Sequence, residues 1–463
     1  MKQYIKKLPK EVLQPFKFVR DLVPDYYRYG KVFRNVYNEL EACEKLANFQ
    51  HEEYQLKQLQ NLLKYSYENV NYYKKIFDER NLKPDDIKSF KDLTKLPYLT
   101  KDIIRENIDD LISKNCSEKD LLYLTTGGSS GTPLGFYEDK KVAKSREWAF
   151  TTHLWKRIGY DVRKCSRFVI LRGHNVKKGI SEYNGRNLIL SSYHLSDENI
   201  GQYIALIEKF NPDFIQAYPS SIDILAKYLI ENGKTIHANK LKGIICASEK
   251  LYDIQRINII EAFKVRVFSF YGHTEHCCIA GECEKNNYYH IQSEYGVVEL
   301  INDNNEQVKE ENEKGEIVAT NLNNYVMPFI RYKTGDIAIN SLSNCSCGRN
   351  YRLIKGLEGR ELEQIVTHSG AKVSLTALIF AQHFYAFSKI QTMQLEQMEK
   401  GKIIVKIVEQ QILDQKDISE IVNKLKIATN DGLDVDIQIV RNIERTKRGK
   451  HNFLLQHLNL KNY

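Results

Sequence analysis

A loop of hydroxyls and glycines, YLTTGGSSGTPLGFY at residues 123–137, lies between two aromatic stretches. It has the makings of an anion cradle. Backbone N–H groups without bulky neighbours can point inward, and Thr125, Thr126, Ser129, Ser130 and Thr132 add hydroxyls. A P-loop needs G-x-x-x-x-G-K-[ST], so that a lysine at the helix start reaches the terminal phosphates. Here the glycine spacing differs and no lysine follows Gly131. The dinucleotide fingerprint fails too, because Thr126 stands where its first glycine belongs. The composition of the loop suits a plain surface turn equally well.

Three further stretches carry groups that suit a nucleotide. SFYGHTEHC (269–277) offers Tyr271 for a base to stack on and Glu275 as a hard oxygen ligand for Mg²⁺. FIRYKTGDIA (329–338) ends a β-type segment with Asp336, a natural acceptor for two ribose hydroxyls. IERTKRGKHNFLLQ (443–456) sets Lys450 after a glycine, where a basic loop can reach an α-phosphate. Each has a plainer counterpart: a core tyrosine, a turn acid, a solvated basic face. Their order along the chain is what favours one shared site.

The nine cysteines are mostly scattered, as reduced thiols are. Four residues stand apart: Cys283, His290 seven positions later, and the C-x-C pair Cys345 and Cys347. Three thiolates and an imidazole suit tetrahedral Zn²⁺ with no open position, hence a structural ion. Buried reduced cysteines are the alternative. Cys277 and Cys278 read as small packing residues.

The elements that must position these groups follow from pattern. From about Asn38 to Arg80, Leu56, Leu59, Leu62, Leu63 and Tyr67 recur at helical spacing, an amphipathic preface. From Arg167 onward the β-rich runs RFVILRG, FIQAY, KGIICAS and VRVFSFYG alternate with helical ones, the α/β pattern of a parallel sheet with ligands near strand C-terminal ends. YGVVELI and GEIVATNL are β-type, separated by the solvated turn NDNNEQVKEENEKG. The last hundred residues read as a small α+β unit: a helix near Leu375 to Phe387, a strand KIIVKIVE, a helix ISEIVNKLKIAT and a strand VDIQIV. The expected division is a large α/β domain of mixed sheets and helices, 1–358, and a small one, 359–463, with the boundary near Arg360.

At 463 residues the chain exceeds the size at which one core usually stops growing, which agrees with two domains. A formal charge of +9, from 68 basic and 59 acidic residues, suits small anions as well as nucleic acid, but no clustered basic stripe or nucleic-acid module is visible. The N-terminus lacks an apolar run of signal-peptide length and no run is long enough to span a membrane, so a cytoplasmic protein is expected.

Taken together, these motifs resemble the acyl-adenylate-forming (AMP-binding) ligases, in the phenylacetate-CoA ligase-like branch with its capsule-biosynthesis and coenzyme F390 synthetase-like members. The resemblance runs from about Leu56 to the C-terminus. It implies that Thr126, Ser129, Ser130, Gly131 and Thr132 contact phosphates, and that ASE (247–249) and YGHTE line the nucleotide pocket through Ser248, Glu249, Tyr271, Gly272 and Thr274. Thr274 and Glu275 would act catalytically, Glu275 as the Mg²⁺ ligand. Asp336 would accept the ribose, with Arg360 its neighbour and Lys450 the adenylation lysine. The branch carries similar Cys and His positions, which supports the zinc reading of Cys283, His290, Cys345 and Cys347.

Two departures stand out. The hinge usually carries paired acids one residue beyond the arginine; here Glu361, Leu362 and Glu363 follow, which assigns the hinge to Glu363. Many relatives place a lysine after the loop proline, whereas Leu134 follows Pro133.

The implied reaction is ATP-dependent activation of a carboxylic acid, then transfer to coenzyme A or to an amine acceptor. LRGHN and AYPSS would line the acyl pocket through Arg172, Tyr218, Pro219 and Ser220, with His174 either there or facing water. The expected partners are these small molecules, with no nucleic acid; a homodimer is compatible with the sequence. A nucleotide-binding but inactive scaffold of a polysaccharide-synthesis assembly is the competing reading, and the joint presence of Glu275, Asp336, Arg360 and Lys450 argues against it.

Overall fold

In a computed structural model of the chain, the residues described are 10–126, 134–172, 174, 176, 179–192, 195, 198–360, 364–375, 378, 386, 389–429, 431–445 and 451–460. They form two compact units. One comprises Met1–Leu22, Ser166–Val267 and Glu358–Tyr463; the other comprises Val23–Cys165 and Phe268–Leu357.

In the first unit the strands lie in the order Gly243–Cys246, Phe214–Ala217, Phe168–Arg172, Asn187–Ser191, Ser181–Asn184. The first four run parallel and the last pairs antiparallel with its neighbour. The runs GIIC and FVIL are nearly continuous apolar sequence, as a strand covered on both faces requires. The helices Ile200–Phe210, Pro219–Glu231 and Asp253–Phe263 supply that cover, and Ile204, Ile207, Leu225 and Ile259 pack with Val169, Leu171, Ile215 and Ile244 in one core.

The C-terminal part of this unit holds a second sheet, in the order Asp434–Ile439, Lys402–Glu409, Ile390–Glu399, Leu454–Gln456. The helix Gln415–Ala428 opens on Asp414, whose carboxylate accepts from the Lys416 and Asp417 N–H groups. KIIVKIVE, ISEIVNKLKIAT and VDIQIV thus form strand, helix and strand as their patterns predict. Most of the helix expected near Leu375 to Phe387 lies outside the described residues. The strand Ile390–Glu399 has no counterpart in the sequence reading.

The second unit orders its strands Gly296–Ile301, Lys314–Asn321, Tyr332–Asn340, Leu353–Arg360, Tyr289–Ile291, Ile279–Gly281, Arg266–Gly272. The turn read in NDNNEQVKEENEKG joins the first two, which pair antiparallel, and Asn305 and Asn312 take the left-handed backbone that tight turns need. Helical structure begins earlier than the pattern from Asn38 suggested, with Lys10–Asp21 and Gly30–Cys43, and the preface itself is split into Asn48–Asn69 and Asn71–Glu79. Leu59, Leu62 and Leu63 of the 22-residue helix pack with Phe77, Leu93, Ile317 and Tyr332.

Candidate functional site

The glycine and hydroxyl stretch is flanked by two paired strands. Leu121–Thr125 pairs antiparallel with Gly135–Asp139, from Leu121 opposite Asp139 to Thr125 opposite Gly135. Thr126 closes the neck twice: its N–H donates to Leu134 O at 2.9 Å, and its Oγ1 accepts from Leu134 N at 2.9 Å. The Tyr123 ring lies over Gly135, where a Cβ would push the ring aside. Ser129, Ser130, Gly131 and Thr132 lie outside the described residues.

The strand Arg266–Gly272 delivers Tyr271, and Gly272, His273, Thr274 and Glu275 turn away from its end. Tyr271 is buried and its hydroxyl donates to Asp336 Oδ2 at 2.7 Å. Burial, and then the Asp336 charge, hold the phenol far above its ordinary range. Asp336 is aimed by an irregularity in its strand. The register between Lys314–Asn321 and Tyr332–Asn340 shifts between Glu316 and Val318, as at a β-bulge. Gly335 there has φ +76°, a backbone that only glycine adopts freely. Thr334 Oγ1 donates to Ile317 O at 2.8 Å and accepts from Asp336 N at 3.1 Å, while Gly335 N donates to Glu316 Oε1 at 3.0 Å.

Glu275 is buried, yet its carboxyl stays charged. Burial pushes it up, and the His273 ring and Tyr332 hydroxyl more than reverse this, holding it at about 2. Tyr332 OH donates to Oε1 at 2.8 Å; His273 Nδ1 lies 3.2 Å from Oε2. Each oxygen keeps a further acceptor position, so this hard anion fits one carboxylate contact to a phosphate-bound Mg²⁺. The rings of Tyr271, His273 and Tyr332 follow one another at 5.8 and 6.4 Å.

Sequence reasoning missed the parts played by His273 and Tyr332, although both lie inside the motifs it quoted. It also missed Arg331, whose guanidinium grips both Glu299 oxygens (3.0 and 2.9 Å) and anchors the start of the Asp336 strand. His273 is local, two residues before Glu275, whereas Tyr332 and the Arg331–Glu299 pair are brought in from other strands, which no local spacing signals.

The residues expected from the sequence to line an acyl pocket lie in the first unit. Arg172 ends its strand and donates through Nη2 to Ser248 Oγ at 2.8 Å, with its guanidinium 5.0 Å from the centre of the Tyr218 ring. Ser248 has φ +72°, a rare backbone for serine. Pro219 occupies the first turn of the helix Pro219–Glu231, where its missing N–H costs nothing, and Ser220 N donates to Glu249 Oε2 at 3.1 Å. The other Glu249 oxygen accepts from His451 N at 3.0 Å. Arg445, which the sequence reading did not single out, donates to Ser221 Oγ at 3.3 Å. Lys450 and Glu363 lie outside the described residues, as does the Arg360 side chain.

Cys283, His290, Cys345 and Cys347 converge, with one potential ligand atom from each within 4.8 Å of the others. Cys283 and Cys345 Sγ are 3.4 Å apart, far beyond a disulfide bond, and Cys347 Sγ lies 3.3 Å from His290 Nε2. A tetrahedral ion with Zn–S bonds of about 2.3 Å would separate its ligands by roughly 3.5–3.8 Å, so the cluster fits such an ion with small adjustment. The outer contacts agree: Lys285 N donates to Cys283 Sγ, Asn286 Nδ2 to Cys345 Sγ, and His290 Nδ1 faces Tyr288 O at 3.3 Å, leaving Nε2 for the ion. Burial keeps His290 neutral, with its pKa pushed down to about 4. No helix among the described residues is long and apolar enough to cross a membrane.

Comparison with known proteins joins these observations. The family described as "CapK C-terminal domain" matches residues 365–457. Protein CapK of Staphylococcus aureus is 27% identical over 449 residues, covering 93% of this chain and 94% of that protein. A phenylacetate-coenzyme A ligase of Thermus thermophilus is 24% identical over 336 residues, 71% of this chain and 74% of its own. The solved structure of a 2-hydroxyisobutyryl-CoA ligase, in the postadenylation state with R3-HIB-AMP, superposes with a TM-score of 0.70 at 15% identity, covering 90% of this chain and 91% of that one.

Proposed function

We infer the reaction from a premise: the chain belongs to the acyl-adenylate-forming ligases, in the branch that holds CapK and the phenylacetate-CoA ligases. It is an AMP-forming ligase. In the first step an oxygen of the substrate carboxylate attacks the α-phosphorus of ATP, the bond to the β-phosphate oxygen breaks, and pyrophosphate leaves. In the second, a thiol or amine attacks the acyl carbon of the mixed anhydride, AMP leaves, and the nucleophile gives up its proton.

The observation that carries this reading is Glu275, a buried carboxylate kept ionised by His273 and Tyr332, in the turn that follows Tyr271. Glu275, with Thr274 beside it, is the group that would hold Mg²⁺, which when bound supplies neutralisation of the phosphate oxygens. The family resemblance assigns adenine contacts to Tyr271 and Gly272 and, on the other unit, to Ser248 and Glu249. Asp336 is the acceptor of the ribose hydroxyls, and the family resemblance gives Arg360 a part in holding the nucleotide. Thr126, Ser129, Ser130, Gly131 and Thr132 hold the departing phosphates, and Lys450 offsets charge on the five-coordinate phosphorus. Residues 359–463 act as a small mobile domain that withdraws Lys450 between the two steps by turning at the hinge near Glu363.

Arg172, Tyr218, Pro219 and Ser220 line the acyl site. Coenzyme A or an amine is the acceptor, and capsule or polysaccharide synthesis in the cytoplasm is the setting that the likeness to CapK favours. The four-residue Cys/His set holds a structural Zn²⁺. The test is carboxylate-dependent pyrophosphate exchange across a panel of acids, followed by addition of coenzyme A or amines to the active mixture. Silence with every acid despite measurable ATP binding would assign the protein to the scaffold class instead.

A further inference from the structure

The acyl-site residues of the first unit carry more positive charge than a simple aliphatic or aryl acid calls for. Two guanidiniums lie at the segment Tyr218–Ser221. Arg172 lies over the Tyr218 ring at 5.0 Å, and Arg445 donates to Ser221 Oγ at 3.3 Å. Arg172 is fixed by Ser248 Oγ and Arg445 by Ser221 Oγ, so both heads are held rather than free to swing into solvent. The N-terminus of the 13-residue helix Pro219–Glu231 adds its partial positive charge at the same place.

Against these, the acid that the structure shows in this set is Glu249, which accepts from the Ser220 and His451 N–H groups and whose charge acts on Arg445, so it offsets one of the two guanidiniums. Ser220 provides an independent sign of a missing ligand. Its hydroxyl oxygen is shut off from solvent and has no hydrogen-bond partner, in a residue only 7% exposed. A buried hydroxyl left unpaired costs roughly 1–3 kcal/mol, so such a group is expected to meet a polar partner on the ligand.

We propose that the acid this ligase activates carries a second anionic group, held by Arg172 and Arg445 with the Ser220 hydroxyl, while its first carboxylate is adenylated. This rests on the ligase reading above and narrows its substrate class. The second anion is a spectator: no bond to it forms or breaks. A carboxylate and a phosphonate would both satisfy two guanidiniums and a hydroxyl, and the experiment separates them.

Pyrophosphate exchange is measured with butyrate, succinate and 3-phosphonopropionate, acids of similar length, for the wild type, Arg172→Gln and Arg445→Gln. For the wild type, kcat/KM for one of the dianionic acids is expected to exceed that for butyrate by about 10- to 100-fold, the value of one or two charge-assisted hydrogen bonds. Each substitution is expected to bring that ratio down by about tenfold or more. As a second readout, the preferred dianion should raise the wild-type melting temperature without ATP and fail to raise that of Arg445→Gln. A wild-type ratio near one overturns the proposal. So does a ratio that survives both substitutions while all acids slow together, since the arginines would then serve the nucleotide. Absence of exchange with these acids and with every acid of the wider panel would instead overturn the ligase reading itself.

Discussion

Tyr271 donates its hydroxyl hydrogen to Asp336 across 2.7 Å, joining two motifs that are 65 residues apart in the chain. The bond lets a ring that can face a base also set the orientation of a carboxylate that can grip a ribose. Tyr271→Phe removes that hold while preserving the ring. A loss of about 1.5–3 kcal/mol in unfolding free energy is expected, the usual worth of a hydrogen bond to a charged group. The KM for ATP in pyrophosphate exchange should rise several-fold, with the KM for the acid little changed. An unchanged KM for ATP would detach Asp336 from the nucleotide.

Lys450 follows Gly449 and precedes His451, whose N–H is held by Glu249 and whose Nε2 faces Met393 O at 2.8 Å. If Lys450 offsets charge on the phosphorus, Lys450→Ala should abolish adenylation and leave ATP binding intact. The loss should be roughly 10²–10³-fold in exchange rate, as for other removed transition-state contacts. Calorimetric titration with ATP supplies the control. Exchange at the wild-type rate would refute the assignment.

The Cys283, His290, Cys345 and Cys347 cluster predicts about one zinc per chain by elemental analysis of protein purified without chelator. Cys345→Ser should lower both the zinc content and the melting temperature, because a closed site contributes directly to folding. The zinc should survive dialysis but not a strong chelator during partial unfolding. Protein that contains no metal and tolerates Cys345→Ser would return these residues to ordinary buried thiols.

How far the fold could be read from sequence depended on where the polar residues fell. The runs around Val169, Ile215 and Ile244 are apolar because both faces of their sheet are covered, so their alternation with helices was plain. The strand Ile390–Glu399 escaped notice because Gln394, Glu396 and Gln397 are all buried in it. Their polar groups are satisfied across the sheet: Gln397 bridges Val366 N and O, and Glu396 pairs with Lys406 at 2.6 Å. A search for apolar alternation passes over such a strand. The helix Lys10–Asp21 was not read at all, and Gly30–Cys43 only in its end from Asn38; the first contains Pro15 and leaves Phe16 and Val19 largely exposed. At the site, Tyr271, Glu275 and Asp336 were legible as types; His273 acts on Glu275 two residues away and was overlooked within its own motif, while the roles of Tyr332 and the Arg331–Glu299 pair are set by contacts between strands distant in sequence.

Glu294 offers a test in pH. It is buried 4% exposed, its Oε1 accepts from Tyr351 OH at 3.0 Å, and His51 Nδ1 lies 3.9 Å away. Burial raises its carboxyl from an ordinary 4.5 to about 7, only partly opposed by its own backbone N–H, by Tyr351 and by Arg157. The folded state therefore binds this proton more tightly than the unfolded state. Its contribution is fully present below pH 4.5 and is lost as the pH rises through 7. Glu294→Gln keeps the shape and does not titrate. The wild-type stability minus that of Glu294→Gln, from denaturant melts at matched pH, should fall across this window by on the order of 3 kcal/mol. A difference that is flat with pH, or that grows toward neutral pH, would mean that Glu294 is ionised in the fold and paired with Arg157.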